Sequence, residues 1–201
     1  MNSQYHKVIV IILAGGQSQR AETIKGLRQV NGEYWIDHQI NYFKNSEIGQ
    51  IFVGLGYNHK EYLNNSKLIN TITPVLNTAP QNGSFSTLQN TLKLSFSHQW
   101  NQAILMHVDH ALPQLSTLSK LINSQYQVIK PVYQNKSGHP IVLSRPFCKS
   151  LIQKPYSSQL NMAIRELERS QILWANVKDA NVLSNFNTQD KWLEYARTFK
   201  T

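Results

Sequence analysis

One uninterrupted apolar run near the start constrains the fold more than any other part of the sequence. Val8–Ala14 contains seven apolar residues, five of which are β-branched. Such a run is typical of a strand that is buried on both faces, as in a parallel sheet. It is far shorter than the roughly 20 residues that span a bilayer. The Gly-Gly-Gln-Ser sequence that follows does not resemble a signal-peptide cleavage site, so we expect a cytoplasmic protein without a membrane segment.

Strand-like and helix-like segments alternate along the rest of the chain. Residues 51–55 and 103–108 are short apolar runs, whereas residues 34–45 repeat apolar residues at helical spacing. This alternation predicts an α/β fold of three layers, with a mainly parallel sheet and helices on both faces. We expect residues 1–201 to form a single domain. The other predicted strands are 72–76 (weak, because of Pro74), 128–133, 141–143 and 172–177, and the other predicted helices are 87–94 (capped by Ser84 or Ser86), 115–122, 158–169 and 188–199.

The distribution of charge indicates an anionic partner. The chain has 20 Lys and Arg against 11 Asp and Glu, a net charge of +9. Between residues 62 and 165 there are nine Lys or Arg and one carboxylate, Asp109. Because Mg²⁺ is usually held by one or two carboxylates with substrate phosphates, Asp109 is a candidate metal ligand; an ordinary cap or surface residue is the alternative. His107 and His110 flank it, but zinc usually needs three or four ligands.

The single cysteine, Cys148, excludes a disulfide framework and is expected to be buried.

A glycine-rich loop follows the first predicted strand. Gly15 and Gly16 come directly after Ala14, and Arg20 and Lys25 follow within ten residues. In a parallel α/β sheet, ligands collect at the carboxyl ends of strands, and a loop with two glycines lets backbone N–H groups approach phosphates closely. The two cations would neutralise those phosphates. The spacing is that of neither a Walker loop nor a dinucleotide-binding fingerprint, and a plain turn with two solvated cations is the alternative.

A longer motif around this loop resembles the signature of MobA-like nucleotidyltransferases. The family pattern Leu-Ala-Gly/Ala-Gly-x-Ser-x-Arg-Met-Gly-x-x-Lys is matched by Leu13, Ala14, Gly15, Gly16, Ser18, Arg20 and Lys25. Segments 83–89, 108–113, 138–140 and 185–190 are similar to later family motifs and occur in the same order. The resemblance extends over roughly residues 7–193. The family includes the molybdenum cofactor guanylyltransferases and cytidylyltransferases.

The resemblance implies a Mg²⁺-dependent nucleotidyltransferase with an NTP, GTP or CTP, as substrate. The NMP part would be transferred to a phosphorylated small-molecule acceptor as pyrophosphate leaves, and a molybdopterin-type acceptor is favoured. The implied site residues are, for catalysis, Lys25, Arg20 and Asp109; for the nucleotide, Leu13, Ala14, Gly15, Gly16, Ser18, Lys25, Gly83 and Ser86; for the metal, Asp109, Asn185 and Asn187; and for the acceptor, Gly138, His139 and Arg145.

Several positions depart from the family pattern and leave alternatives open. Ala21 and Glu22 replace the usual Met-Gly, and Asn185 and Asn187 replace acidic residues that hold metal in some members. The alternatives are a sugar- or alditol-phosphate nucleotidyltransferase and a catalytically weakened nucleotide-binding protein of the same family. The Asn residues favour GTP, whereas Gly-His-Pro at 138–140 favours CTP. A nucleic-acid binder is disfavoured because the basic residues form neither a run nor a helix stripe.

Overall fold

The computed structural model describes residues 7–17, 23–46, 48–122 and 125–200, in which strands and helices alternate. The strands are β1 (Val8–Ala14), β2 (Gln29–Val30), β3 (Glu33–Tyr34), β4 (Gln50–Leu55), β5 (Thr73–Leu76), β6 (Gln102–His107), β7 (Val128–Tyr133), β8 (Lys136–Ser137), β9 (Ile141–Ser144) and β10 (Ile172–Asn176). The α-helices are α1 (Trp35–Asn45), α2 (His59–Asn65), α3 (Ser84–Ser95), α4 (Leu115–Leu121), α5 (Arg145–Ile152), α6 (Leu160–Arg165) and α7 (Gln189–Arg197). The predicted α/β class is confirmed.

The apolar run is the central strand of the sheet. All seven residues of β1 are buried. The strand pairs in parallel with β4 on one side and with β6 on the other. A strand with neighbours at both edges and helices over both faces buries every side chain. For this reason apolar and polar residues do not alternate along the run.

The sheet is mixed and mainly parallel. Its strand order is β10-β7-β9-β6-β1-β4-β5, with β8 paired to β7. Strand β9 is antiparallel to both β6 and β7, and β8 is antiparallel to β7. The other strands of this sheet run in one direction, so their carboxyl ends meet at one edge. The short strands β2 and β3 form a separate hairpin.

Helices cover both faces of the sheet and make the three predicted layers. Val10 and Ile12 of β1 point into one core, which includes α1 and α4. Ile9 and Ile11 point into the other, which includes α3, α5 and α6. This division follows from the two-residue period of a strand. Cys148 is fully buried in the second core, where burial raises its pKa, as expected for a structural thiol.

Some elements differ from their predicted bounds for local physical reasons. The helix predicted over 158–169 is shorter (α6), because Glu168 and Gln171 cap a separate 3-10 turn after it. The weak strand containing Pro74 forms as β5, at the end of the strand order, where a missing N–H is tolerated. The helices α2 and α5 were not predicted. In the described part of the chain no helix is long and apolar enough to cross a membrane.

Candidate active site

The loop after β1 packs closely at two glycines, Gly15 in the loop itself and Gly56 just after β4. A Cβ on Gly15 would lie 2.7 Å from Thr87 Oγ1 of α3. A Cβ on Gly56, just after β4, would lie 2.4 Å from the Gly15 carbonyl oxygen. The loop therefore presents its backbone at the carboxyl edge of the sheet. The predicted positions of this segment that lie outside the described residues are Ser18 and Arg20, with the departures at Ala21 and Glu22.

A cavity of about 500 Å³, called here the first cavity, lies over this loop. It is bounded by the carboxyl ends of β1 and β6 and by the start of α3. The predicted metal ligands Asp109 and Asn187 line it. The predicted nucleotide-binding residues that line it are Leu13, Ala14, Gly15, Gly16, Lys25 and Gly83. The fold thus brings predicted site residues that are far apart in the sequence to one cavity.

A lysine, a carboxylate and an amide form the polar centre of the first cavity. The Lys25 Nζ donates hydrogen bonds of 2.7 Å to Asp109 Oδ2 and of 2.7 Å to Asn187 Oδ1. The Asn187 Nδ2 donates a 3.0 Å hydrogen bond to Asn185 Oδ1. Oxygens of two predicted metal ligands therefore converge on one cation, the lysine ammonium.

The second carboxylate oxygen of Asp109 is held by His110, whose Nδ1 lies 3.0 Å from Asp109 Oδ1. A carboxylate only accepts hydrogen bonds, so this contact requires a proton on Nδ1. Burial alone would raise the pKa of Asp109, but the hydrogen bonds from His110 and Lys25 hold that pKa well below its usual range. Asp109 is therefore ionised and fixed at both oxygens.

Backbone contacts join the two segments that supply these side chains. The Phe186 N–H donates a 2.7 Å hydrogen bond to the Asp109 carbonyl, and an isolated antiparallel bridge pairs His110 with Asn185. The Arg28 guanidinium donates a 3.0 Å bond to the Phe186 carbonyl. These contacts hold the segment around Asn185 next to the end of β6, although the two are more than 70 residues apart in the sequence.

The start of α3 forms the wall opposite the charged centre. Gly83 precedes the helix with φ +86°, a conformation that favours glycine, and no side chain caps the first turn. Ser84 and Thr87 line the first cavity, whereas Ser86 does not. The buried Ser86 Oγ donates a 2.7 Å bond to the Gly83 carbonyl and accepts one of 2.9 Å from Asn77. Ser86 thus shapes the loop, and Ser84 and Thr87 face the cavity in its place.

A second cavity, of about 460 Å³, adjoins the first on the side of β9. The two share Leu13, Gly83, Ser84 and His107. The floor of the second cavity is apolar, and its rim carries Ser, Asn and Gln side chains from the start of α3 and from residues 157–161. His139 also lines it.

The imidazoles of His107, His110 and His139 lie close together, and of these His107 lines both cavities. The ring centres of His110 and His139 are 4.3 Å apart, and those of His107 and His139 are 5.3 Å apart. Burial and the nearby His110 lower the pKa of His107 to about 4, and burial lowers the pKa of His139 well below 6.5. Both rings are therefore neutral near pH 7. The His139 Nδ1 is buried and has no hydrogen-bond partner in the described part of the chain.

Two predicted acceptor residues do not face either cavity. Gly138 is packed against the Val182 carbonyl, which a Cβ would approach to 2.0 Å, so it serves close backbone packing. Arg145 follows the carboxyl end of β9, and because β9 is antiparallel it lies at the opposite end of the sheet. Its guanidinium bonds the carbonyls of Phe96, His98 and Trp100. The expected acceptor contact of Arg145 is therefore corrected to a structural role.

Sequence reasoning also missed residues that the structure brings into the site. Alternation on a strand predicts that His107 faces the same side as Asp109, and both line the first cavity, but β6 ends at His107 and a turn follows. The carboxylate consequently meets His110. The end of a predicted strand is where such alternation ceases to apply. For Thr87, the only indication in the sequence of a place in the site is its position one helical turn after Gly83.

Comparisons with known proteins agree with this geometry. Residues 10–171 match the family model of the MobA-like NTP transferase domain. A search of curated proteins found no significant relative. A homologue of Mycobacterium tuberculosis Rv0371c from Mycobacterium sp. strain JC1 is 22% identical, with a TM-score of 0.79 and 96% of each chain covered.

Two further solved structures share the fold at lower identity. Rv0371c of Mycobacterium tuberculosis, determined in complex with manganese, is 16% identical with a TM-score of 0.74, and 96% of this chain and 99% of that chain are covered. A nucleotidyl transferase from Methanothermobacter thermautotrophicus is 13% identical with a TM-score of 0.80, covering 96% of this chain and 98% of that one. The family match covers most of the chain and agrees with the fold, the glycine loop and the charged centre. The chain therefore belongs to the MobA-like NTP transferase family and is a nucleotidyltransferase.

Proposed function

We propose that this enzyme transfers NMP from GTP or CTP to the phosphate of a small acceptor, with Mg²⁺ as cofactor and release of pyrophosphate. A molybdopterin-type acceptor is the first choice, because the sequence resembles the guanylyl- and cytidylyltransferases of that cofactor. A sugar or alditol phosphate is the alternative. The observation that carries the proposal is the convergence of Lys25, Asp109 and Asn187 in the first cavity. We expect the reaction in the cytoplasm, where NTPs are available.

The nucleotide would be held mainly by backbone groups. The Gly15–Gly16 loop offers N–H groups at the carboxyl edge of the sheet. The first turn of α3 adds uncapped N–H groups and the positive end of a helix dipole beside Ser84. By resemblance, Ser18 and Arg20 would join them at the phosphates. This set suits a triphosphate, which needs many donors and cations around it.

The donor set fits a hard divalent cation. The carboxylate of Asp109 and the amide oxygens of Asn187 and Asn185 are of the ligand type that Mg²⁺ prefers, and two of these side chains already surround an ammonium. When bound there, Mg²⁺ would supply positive charge to the triphosphate. The manganese complex of Rv0371c supports a divalent cation in this fold.

The same contacts imply that Lys25 changes partners during turnover. Its ammonium occupies oxygens that the cation needs, and two cations repel each other at such a distance. The phosphate oxygens of a bound NTP are the alternative partners. We therefore assign to Lys25, and by resemblance to Arg20, the neutralisation of charge that grows on the leaving pyrophosphate.

The acceptor would lie in the second cavity. One oxygen of its phosphate attacks the α-phosphorus in line, and the bond from that phosphorus to the bridging oxygen breaks. The electron pair leaves with pyrophosphate. The attacking phosphate is already ionised, so positioning and charge neutralisation carry most of the rate without a strong base. His139 is neutral, and its Nδ1, which has no partner among the residues that the structure describes, is available to hydrogen-bond the acceptor there.

A pyrophosphate-release screen tests the proposal. Each of four NTPs is paired with molybdopterin or with sugar and alditol phosphates, with and without Mg²⁺. We expect one pair to release pyrophosphate only with the metal. Lys25→Ala and Asp109→Ala should abolish that release, whereas Lys44→Ala, an exposed lysine bonded to Thr71, should retain it. Wild-type turnover in both site variants would contradict the assigned mechanism.

A further inference from the structure

Tyr62 lines the first cavity, and the proposed reaction does not use it. It lies on α2, and only 1% of the residue is exposed. Its ring packs in the core that includes α1 and α4. Burial raises the pKa of its hydroxyl, which is therefore neutral near pH 7. The hydroxyl can form hydrogen bonds at the edge of the cavity, but it supplies no charge there.

The Tyr62 hydroxyl holds the turn that carries Lys25. Residues Lys25–Leu27 form a single 3-10 turn, and in the described part of the chain no side chain caps its start. The Gly26 N–H donates a buried hydrogen bond of 3.2 Å to Tyr62 Oη. This N–H belongs to the peptide bond between Lys25 and Gly26. The contact therefore fixes the main chain directly beside the lysine.

Gly26 is packed between Tyr62 and the segment that carries Asp109. A Cβ on Gly26 would lie 2.6 Å from Tyr62 Oη and 2.6 Å from Val108 Cγ2. Val108 directly precedes Asp109 and also lines the first cavity. The turn is thus held between α2 on one side and the end of β6 on the other. This packing sets the distance from the main chain of Lys25 to the carboxylate of Asp109.

A fixed main chain matters for Lys25 because the lysine side chain is a flexible stem that loses rotamer freedom when its ammonium is held. The Lys25 ammonium nevertheless bonds Asp109 Oδ2 and Asn187 Oδ1 together, both at 2.7 Å. These two oxygens come from segments far apart in the sequence. The position of the main chain decides which oxygens the ammonium can reach at the same time.

We propose that Tyr62 is a positioning residue for Lys25: its hydroxyl fixes the turn from which the ammonium reaches Asp109, Asn187 and, once NTP is bound, the phosphates. The inference rests on the proposed function, which assigns to Lys25 the charge of the leaving pyrophosphate. Tyr62 acts through the Lys25 turn and does not contact the reacting atoms. The reaction then needs its hydroxyl rather than its ring, so Tyr62→Phe is the decisive variant.

Acetylation of lysines by acetic anhydride, read by peptide mass spectrometry, tests this positioning without nucleotide, metal or acceptor. In the wild type the Lys25 amine, held by two oxygens, should react at least about tenfold more slowly than the exposed Lys44. Tyr62→Phe removes the acceptor of the Gly26 N–H and should raise the Lys25 rate at least about threefold, with the Lys44 rate unchanged. Asp109→Asn is the positive control and should also raise the Lys25 rate.

A matched control separates positioning from a loss of stability. The Tyr42 hydroxyl donates a 2.7 Å bond to the Pro113 carbonyl, and Tyr42 is not among the described residues that line either cavity. Tyr42→Phe should lower the urea midpoint about as much as Tyr62→Phe does, yet leave Lys25 acetylation and kcat unchanged. Tyr62→Phe should lower kcat for pyrophosphate release about tenfold and keep the KM for the acceptor within about twofold.

An unchanged Lys25 rate in Tyr62→Phe, or an equal rise in Tyr42→Phe, would overturn the inference. A Lys25 that reacts as fast as Lys44 in the wild type would also overturn it, and so would a wild-type kcat in Tyr62→Phe. The screen of the proposed function is independent. A protein that releases no pyrophosphate with any pair of substrates loses the proposed function, while the acetylation rates still decide whether Tyr62 positions Lys25.

Discussion

The two cavities share a wall but differ in chemistry. The first contains a lysine and a carboxylate, Lys25 and Asp109, at the end of the central strands. The described lining of the second has an apolar floor, a rim of hydroxyls and amides, and two neutral imidazoles. For the proposed function, this difference predicts a division of roles: the first cavity would bind the charged triphosphate, which every NTP shares, and the second would distinguish acceptors by shape and hydrogen bonding.

The largest expected effect tests whether the charge chemistry is confined to the first cavity. Asp109→Ala should lower kcat by at least about 10²-fold, because it removes the carboxylate proposed to hold the cation that stabilises charge on the transferred nucleotidyl group. Steady-state pyrophosphate release measures this. Gln159→Ala, in the rim of the second cavity, is the matched control and should leave kcat within about threefold. A similar kcat loss in both variants would remove the distinction between the cavities.

The second prediction concerns the packing of the glycine loop. Gly56→Ala should lower the free energy of unfolding by about 2 kcal/mol, since its Cβ would meet the Gly15 carbonyl, a backbone atom that does not move aside. Gly15→Ala should lower it less, because the Thr87 side chain can rotate. Gly16→Ala is the control, with nothing within 4 Å of its Cβ. Urea unfolding gives the three values, and a loss at Gly16 as large as at Gly56 would contradict the packing argument.

The third prediction tests whether the Lys25 ammonium occupies the oxygens that are proposed to bind the metal. Lys25→Met should bind free Mn²⁺ at least about tenfold more tightly than the wild type, because a competing cation is gone from Asp109 and Asn187. Electron paramagnetic resonance of Mn²⁺ without nucleotide measures this affinity. Lys44→Met should bind like the wild type. Unchanged or weaker binding in Lys25→Met would show that the ammonium and the metal do not compete.

The fourth prediction moves to the second cavity. His139→Ala should raise the KM for the acceptor about fivefold and leave the KM for the NTP unchanged, as expected when one neutral hydrogen bond is lost. Initial rates with each substrate varied in turn separate the two constants. An effect confined to the NTP would assign His139 to the first cavity.

Much of the fold and of the first cavity was predictable from the sequence. Each contact that was not predictable has a specific physical reason. The run 8–14 predicted a strand that is buried on both faces, and the ordered motifs predicted the glycine loop, Lys25, Asp109 and Asn187 of the first cavity, because a parallel sheet gathers its carboxyl ends at one edge. Arg145 lies away from both cavities because β9 is antiparallel, and the prediction of a mainly parallel sheet did not specify the direction of this strand. An antiparallel strand sends its last residue to the opposite end.

The contacts of Ser86 and His110 were not predictable for reasons of a finer scale. A helix-start serine reads the same in sequence whether its hydroxyl faces a ligand or closes its own loop, and the buried Asn77 decides the matter here. His110 lies one residue past Asp109, where the strand has ended and alternation no longer applies. Both depend on contacts with distant segments, which a local pattern does not contain.

The smallest predicted effect follows from the neutral imidazoles of the second cavity. Burial lowers the pKa of His139 well below 6.5, whereas the unfolded chain binds a proton there near pH 6.5. Unfolding therefore takes up a proton below that pH, so the stability contributed by neutral His139 is complete above about pH 6.5 and falls as the pH decreases towards the folded pKa. Urea unfolding at pH 7.5 and 5.5 should show a smaller loss, by about 1 kcal/mol, in His139→Gln than in the wild type. His139→Asn should behave like His139→Gln if titration is the cause, and an unaltered loss in both variants would show that the pKa of this imidazole is the same in the folded and unfolded protein, so that the second cavity carries its positive charge at pH 5.5.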